Sequence, residues 1–126
     1  MASPTKKILL IDDEPSILIT FKIALGRLGY ELTTEQVASA GLKLAKEGNF
    51  DLVIVDYRMP GLHGVEVIAQ IRQAGCEMPI MLMSASDSPL NTLPAQLRRN
   101  TSFESKPLSP ETLKEAVKSL LEQTGD

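Results

Sequence analysis

Several polar residues in this chain stand where apolar runs stop. Asp12 and Asp13 follow Ile8-Leu9-Leu10-Ile11, Asp56 follows Leu52-Val53-Ile54-Val55, and Ser84 follows Ile80-Met81-Leu82-Met83. Lys106 follows a shorter segment, Ser102 to Ser105, and precedes Pro107. Carboxylates, a hydroxyl and an ammonium are the parts needed to handle a phosphoryl group. A carboxylate can act as the nucleophile, while a cation and a hydroxyl hold the charge that spreads over the equatorial phosphoryl oxygens. Three carboxylates at one point repel each other, so some must stay protonated or share a cation. Mg²⁺ takes oxygen ligands in an octahedron and usually keeps waters. Asp13 and Asp56 could bind it directly and Asp12 through water, with a backbone carbonyl near Arg58 as a further ligand. Asp56 is the expected nucleophile, because it ends the most apolar segment and precedes a loop with Pro60, Gly61 and Gly64. The adjacent pair Asp12-Asp13 suits a metal clamp.

These residues can meet only if the segments before them are parallel strands of one sheet. Short apolar runs rich in β-branched residues suit strands buried on both faces. Between them lie helical patterns. Pro15 reads as a first helical residue, followed by Ile17, Phe21, Ala24, Leu25 and Leu28 up to Gly29. A weaker strand spans Tyr30 to Thr34, and a helix spans Ala38 to Glu47. Val65 to Ala74 is helical up to Gly75. Ser109 and Pro110 are a good N-cap and first residue for a last helix carrying Leu113, Val117, Leu120 and Leu121. The stretch from Asp87 to Asn100 predicts only a short or irregular fourth helix, because Pro94 would break a regular one. Five strands alternating with about five helices predict an α/β fold, a doubly wound parallel sheet with right-handed crossovers. Ligands of such sheets bind beyond the carboxyl ends of the strands, where all the residues above would stand.

The bulk properties agree with one soluble domain over residues 1–126, its core about 7–121. The chain has 126 residues, 43% hydrophobic and 23% charged, with a formal net charge of −3. No basic stripe invites nucleic acid or an anionic membrane. The one cysteine, Cys76, has no internal disulfide partner, which suits a reducing cytoplasm. The N-terminus lacks a secretory signal, and no apolar run nears the roughly 18 residues that span a bilayer.

Four motifs in order, Ile11-Asp12-Asp13-Glu14, Val55-Asp56-Tyr57-Arg58-Met59-Pro60-Gly61, Met83-Ser84-Ala85 and Ser105-Lys106-Pro107, resemble the receiver domain of two-component response regulators, the CheY-like superfamily. Each is weak alone; together, each at an expected strand end, they are specific. The resemblance implies a flavodoxin-like strand order 2-1-3-4-5. It implies a phosphorelay role in which a histidine kinase or phosphotransfer protein phosphorylates Asp56, with Mg²⁺ held by Asp12, Asp13, Asp56 and the Arg58 carbonyl. Lys106 and Ser84 would assist, and the domain would catalyse only its own phosphorylation and dephosphorylation. Ser84 matches the switch hydroxyl and Phe103 the switch aromatic, which report on the face of the fourth helix, fifth strand and last helix to an effector domain or output protein. That face is also where a homodimer would form. The Lys106-Pro107 bond is commonly cis in the family. Three features depart from it: Arg98-Arg99-Asn100-Thr101 replaces the usual Gly-Ala pair, Pro94 interrupts the fourth helix, and His63 stands where an acid or Asn often precedes the loop glycine.

Plainer readings exist for each residue. Asp12-Asp13 and Asp56 could be helix caps, Ser84 an ordinary strand end, Lys106 a solvated lysine and Phe103 plain core. His63 reads as a solvated loop residue, Cys76 as a partly buried thiol, and Met78, Met81 and Met83 as packing. The joint arrival of the polar set favours the pocket. Two other functions share parts of it. An aspartyl-phosphate phosphatase needs an acid two residues after its nucleophile, where this chain has Arg58, and a cap domain. A non-phosphorylated scaffold would have no use for the complete set.

Overall fold

The computed structural model describes residues 5–85 and 90–123. The strands are β1 (Lys7–Ile11), β2 (Glu31–Glu35), β3 (Leu52–Asp56), β4 (Ile80–Ser84) and β5 (Thr101–Ser105). All pair in parallel in one sheet of order β2-β1-β3-β4-β5. Four α-helices stand among the described residues: α1 (Pro15–Gly26), α2 (Ala38–Glu47), α3 (Gly64–Gln73) and α4 (Pro110–Gln123).

The strand pattern explains the layering. In β1, β3 and β4 successive side chains point to opposite faces, and both faces are apolar. Leu9, Ile11, Val53, Val55, Ile80 and Leu82 join a core with Ala38, Leu42 and Ala45 of α2 and Val67, Ile68 and Ile71 of α3. Ile8, Leu10, Leu52, Ile54, Met81 and Met83 join a second core with Leu18, Phe21 and Leu25 of α1 and Leu113, Val117 and Leu121 of α4. Every strand residue from Leu52 to Asp56 and from Ile80 to Ser84 is buried, so the polar ends of β3 and β4 are held by a rigid interior.

The sequence reading holds in outline and shifts in detail. β2 and β5 each begin or end one residue from the expected place. In α1 the inward face is Leu18, Phe21 and Leu25, whereas Leu28 is exposed just past the helix end. The expected fourth helix is two 3₁₀ turns, Leu90–Thr92 and Ala95–Leu97, separated by Leu93 and Pro94; its expected start at Asp87 lies outside the described residues. Pro94 lacks the amide and restricts the residue before it, which ends the first turn. Ser109 caps α4 as expected, its Oγ accepting from the Thr112 amide at 3.1 Å. His63 is exposed, as expected, and is the N-cap residue of α3.

The chain between β4 and β5 is held by a residue the sequence does not advertise. Arg72 of α3 is 2% exposed. Its guanidinium donates to the carbonyls of Arg99 at 3.1 Å, Cys76 at 2.8 Å and Asn100 at 3.1 Å. Asn100 has φ 54, a left-handed conformation that Asn tolerates best among non-glycine residues. Its side chain donates to the Glu77 carbonyl at 2.9 Å. Arg99 pairs with the Glu77 carboxylate at 2.6 Å.

The first residue of α3 packs against the end of β3. A Cβ on Gly64 would lie 2.6 Å from the Asp56 carbonyl oxygen, 2.7 Å from Leu82 Cδ1 and 2.9 Å from Tyr57 Cα. Two of these neighbours are backbone and cannot yield. Gly64→Ala should therefore lower stability by about 1–3 kcal/mol in urea unfolding, despite alanine's better helix propensity. Unchanged stability would refute this tight packing.

Candidate functional site

The carboxyl ends of β1, β3, β4 and β5 meet at one place. Asp12 and Asp13 follow β1, Asp56 ends β3, Ser84 ends β4, and Lys106 follows β5. Asp13, Asp56, Ser84 and Lys106 line a cavity of about 300 Å³ together with Glu14, Arg58 and Ala85. Asp12 is fully buried beneath it, Asp56 is 5% exposed and Ser84 is 3% exposed, while Asp13 is open to solvent. Carboxylate oxygens of Asp12, Asp13 and Asp56 all lie within 4.8 Å of one another.

Lys106 Nζ stands 3.0 Å from Asp56 Oδ1, 3.3 Å from Asp12 Oδ2 and 3.7 Å from Glu14 Oε1. Its own backbone is fixed, because its amide donates to the Ser84 carbonyl at 2.9 Å. The Lys106-Pro107 peptide is cis. Asp12 Oδ1 accepts from the Glu14 amide at 3.0 Å, just before Pro15 opens α1. Asp12 thus makes a local turn bond and belongs to the carboxylate group as well, while the N-cap residue of α1 is Glu14, not Asp12 or Asp13.

Burial dominates the titration of this group. It pushes the Asp56 carboxyl above its ordinary value; Lys106 opposes the shift, while Asp12 and Asp13 reinforce it. Burial also raises Asp12, against the Glu14 amide and Lys106. For Lys106, burial works downward but is outweighed by Asp56 and Asp12, so the ammonium ends above its ordinary value. One ammonium shared among these acids leaves the cluster electron-rich. A small hard cation with oxygen ligands fits that donor set, and Asp12, Asp13 and Asp56 are the residues that could hold it.

The sequence reading located five of the polar residues lining or underlying the cavity. It gave no role to Glu14, though its place directly after two acids was a usable signal. Arg58 lines the cavity and is exposed. Phe103 is half-buried and packs against the core on the α2 and α3 face. It pairs with Leu82 in the β4–β5 register, two residues before Ser84. His63 stands outside the cavity and stacks on Tyr57. Cys76 and Met78 are half-buried at the opposite end of the sheet.

The response regulator receiver domain family matches residues 8–118. Among curated proteins, the alkaline phosphatase synthesis transcriptional regulatory protein PhoP of Bacillus subtilis is 33% identical over 119 residues, covering 94% of this chain and 50% of that protein. The transcriptional regulatory protein GlrR of Escherichia coli is 30% identical over 124 residues, covering 98% of the chain and 28% of that protein. The chain thus spans about half or less of these relatives' length. Among solved structures, a CheY-like response regulator receiver domain protein from Methanospirillum hungatei superposes with a TM-score of 0.84 at 26% identity, covering 95% of this chain and 96% of that one. The chemotaxis protein CheY4 of Vibrio cholerae gives 0.81 at 28% identity, covering 93% and 99%. No helix among the described residues is long and apolar enough to cross a membrane.

The raised carboxyls set a direction for stability. A carboxyl whose native value exceeds its unfolded value binds more protons in the folded state, so stability falls as pH rises between the two values. In metal-free buffer the wild type should therefore lose stability relative to Asp56→Asn as pH rises from about 4, the unfolded carboxyl range. Mg²⁺ at a hundredfold excess over its dissociation constant should add about 2.7 kcal/mol to the wild type. Denaturant melts across pH, with and without Mg²⁺, test this; a flat difference would refute it.

Proposed function

We propose that this chain, which belongs to the response regulator receiver domain family, accepts a phosphoryl group on Asp56 from a histidine kinase or phosphotransfer protein. The family is one of signalling domains rather than of metabolic enzymes. The observation that carries the proposal is the contact of Lys106 Nζ with Asp56 Oδ1 at 3.0 Å, inside a group of three carboxylates. Asp56 is the one acid of the three that is buried, ends a strand and opens onto the cavity.

In the transfer, the N–P bond of a donor phosphohistidine breaks and an O–P bond forms to the Asp56 carboxylate. The freed imidazole nitrogen takes a proton from solvent. Asp12, Asp13, Asp56 and the Arg58 carbonyl would hold Mg²⁺, which supplies charge neutralisation at the phosphoryl oxygens. Lys106 binds one equatorial oxygen as its hold on Asp56 loosens, and the Ser84 hydroxyl donates to another. Arg58 stands two residues after Asp56, where a phosphatase of this kind would carry an acid, which favours the phosphoacceptor reading over repeated turnover.

The test uses a small phosphodonor with Mg²⁺. The wild type should take up one phosphate per chain, and Asp56→Asn none. Lys106→Ala should slow labelling about a hundredfold, the loss typical when a donor to developing negative charge is removed. Labelling that persists in Asp56→Asn would sink the assignment, and sustained hydrolysis of unrelated phosphoesters would favour a phosphatase.

For output, we read Ser84 and Phe103 as the switch. A phosphoryl group carrying roughly −1.5 to −2 charge, in place of the single carboxylate charge of Asp56, draws the Ser84 hydroxyl inward, and Phe103 follows on the same face of the sheet. Leu90 and Leu93, from the turns that replace the fourth helix, pack in that same core and would repack with it. Beryllofluoride, which occupies the place of a phosphoryl group on an aspartate, should slow amide exchange across 101–105 in wild type and not in Asp56→Asn. Exchange that ignores beryllofluoride would rule out this switch.

A further inference from the structure

The loop between β3 and α3 carries Arg58 past the cavity and returns at Gly64. Its base is closed by backbone bonds: the Tyr57 amide donates to the Met83 carbonyl at 2.8 Å, and the Gly64 amide donates to the Tyr57 carbonyl at 2.8 Å. Its middle is anchored by Met59, buried at 4% exposure in the core. Across its mouth, the Tyr57 and His63 rings stack with centroids 5.6 Å apart and planes 26° from parallel. The His63 amide donates to Glu66 Oε1 at 3.0 Å, which fixes the residue at the start of α3.

The His63 side chain and the Glu66 carboxylate form a reciprocal capping box at the start of α3, a task that does not require an imidazole. Ser, Asp and Asn are the side chains that best serve an N-cap. What the ring adds to the cap is a stack, and among the described residues it stacks on Tyr57, the residue between Asp56 and Arg58. We propose that His63 is a positioning residue: its stack on Tyr57 latches the 57–63 loop and thereby holds the Arg58 backbone beside the cation pocket. This inference rests on the phosphoacceptor reading for its link to Mg²⁺, although the latch itself exists without metal. Closing a seven-residue loop costs conformational entropy on each side of Arg58. A stack across the loop's mouth removes that freedom before the cation arrives, which is the advantage of a preorganised site.

Two variants separate the ring from the cap. His63→Asn keeps a good N-cap and loses the stack, whereas His63→Phe keeps a stacking ring and loses the imidazole. In metal-free protein, amide exchange at Arg58, Met59 and Gly61 should quicken about three- to tenfold in His63→Asn, the range set by an ordinary aromatic pair. It should stay near wild type in His63→Phe. The Mg²⁺ dissociation constant, measured by titration calorimetry, should rise by a similar factor in His63→Asn and recover in His63→Phe. Wild-type exchange in His63→Asn, or an equal change in both variants, would overturn the latch. If the wild type shows no Mg²⁺ binding that Asp13→Asn removes, the phosphoacceptor reading fails instead, and the metal-free exchange still decides the latch.

Discussion

Lys106 Nζ lies between Asp56 and Asp12, two carboxylates that the fold has taken out of water. A charge in that position is costly unless it is paired, and removing one partner of a buried pair leaves the other stranded. One ammonium cannot neutralise Asp12 and Asp56 as well as the nearby Asp13 and Glu14. The excess negative charge is balanced either by protonation of a carboxyl or by a further cation. This shortage shapes its surroundings. The strands that deliver these side chains must be rigid, since free carboxylates would otherwise swing apart into solvent. The wholly buried β3 and β4 supply that rigidity.

That rigidity is also why the pocket could be read from the sequence. A strand covered on both faces must be apolar at successive positions, so its polar terminus stands out after the run. Asp12, Asp56 and Ser84 were visible for this reason, and parallel pairing then required them to share one edge. Lys106 was harder, because β5 is only half-buried and its residues Thr101, Ser102, Glu104 and Ser105 are polar; its signal came from the following proline and the company of the other motifs. Leu28 was misplaced because helical spacing continues past Gly26 in the sequence, whereas the chain has already left the helix.

The tertiary contacts of Arg72 and His63 were not legible for a different reason. An arginine on an amphipathic helix ordinarily reads as solvated, and nothing local reveals that carbonyls from residues 99 and 100, far along the chain, converge on it. Likewise a histidine beside a loop glycine carries no pattern that forecasts a ring partner six residues earlier. Both are tertiary facts. The departure at Arg98-Arg99-Asn100-Thr101, by contrast, was visible as a departure, and the structure supplies its physical content. Asn100 takes the left-handed turn, and Arg72 and Glu77 tie down the segment around it.

The two ends of the molecule therefore differ in how they are held. Around Asp56 the contacts are a buried ion pair, backbone bonds at the loop base and close packing at Gly64, all of which resist displacement. Between β4 and β5 the expected helix is reduced to two single 3₁₀ turns with Leu93 as the buried anchor. Such turns carry few internal hydrogen bonds, so their geometry depends on what Leu90 and Leu93 pack against. A charge added at Asp56 can do work only where two arrangements are close in free energy. The 90–97 turns are the part of this face held least by their own hydrogen bonds, and Leu90 and Leu93 share a core with Phe103 on the strand beside Ser84. Arg72 bounds the response on the far side by holding 99 and 100 to α3, so a shift at Ser84 should be absorbed before Asn100 rather than passed along the chain.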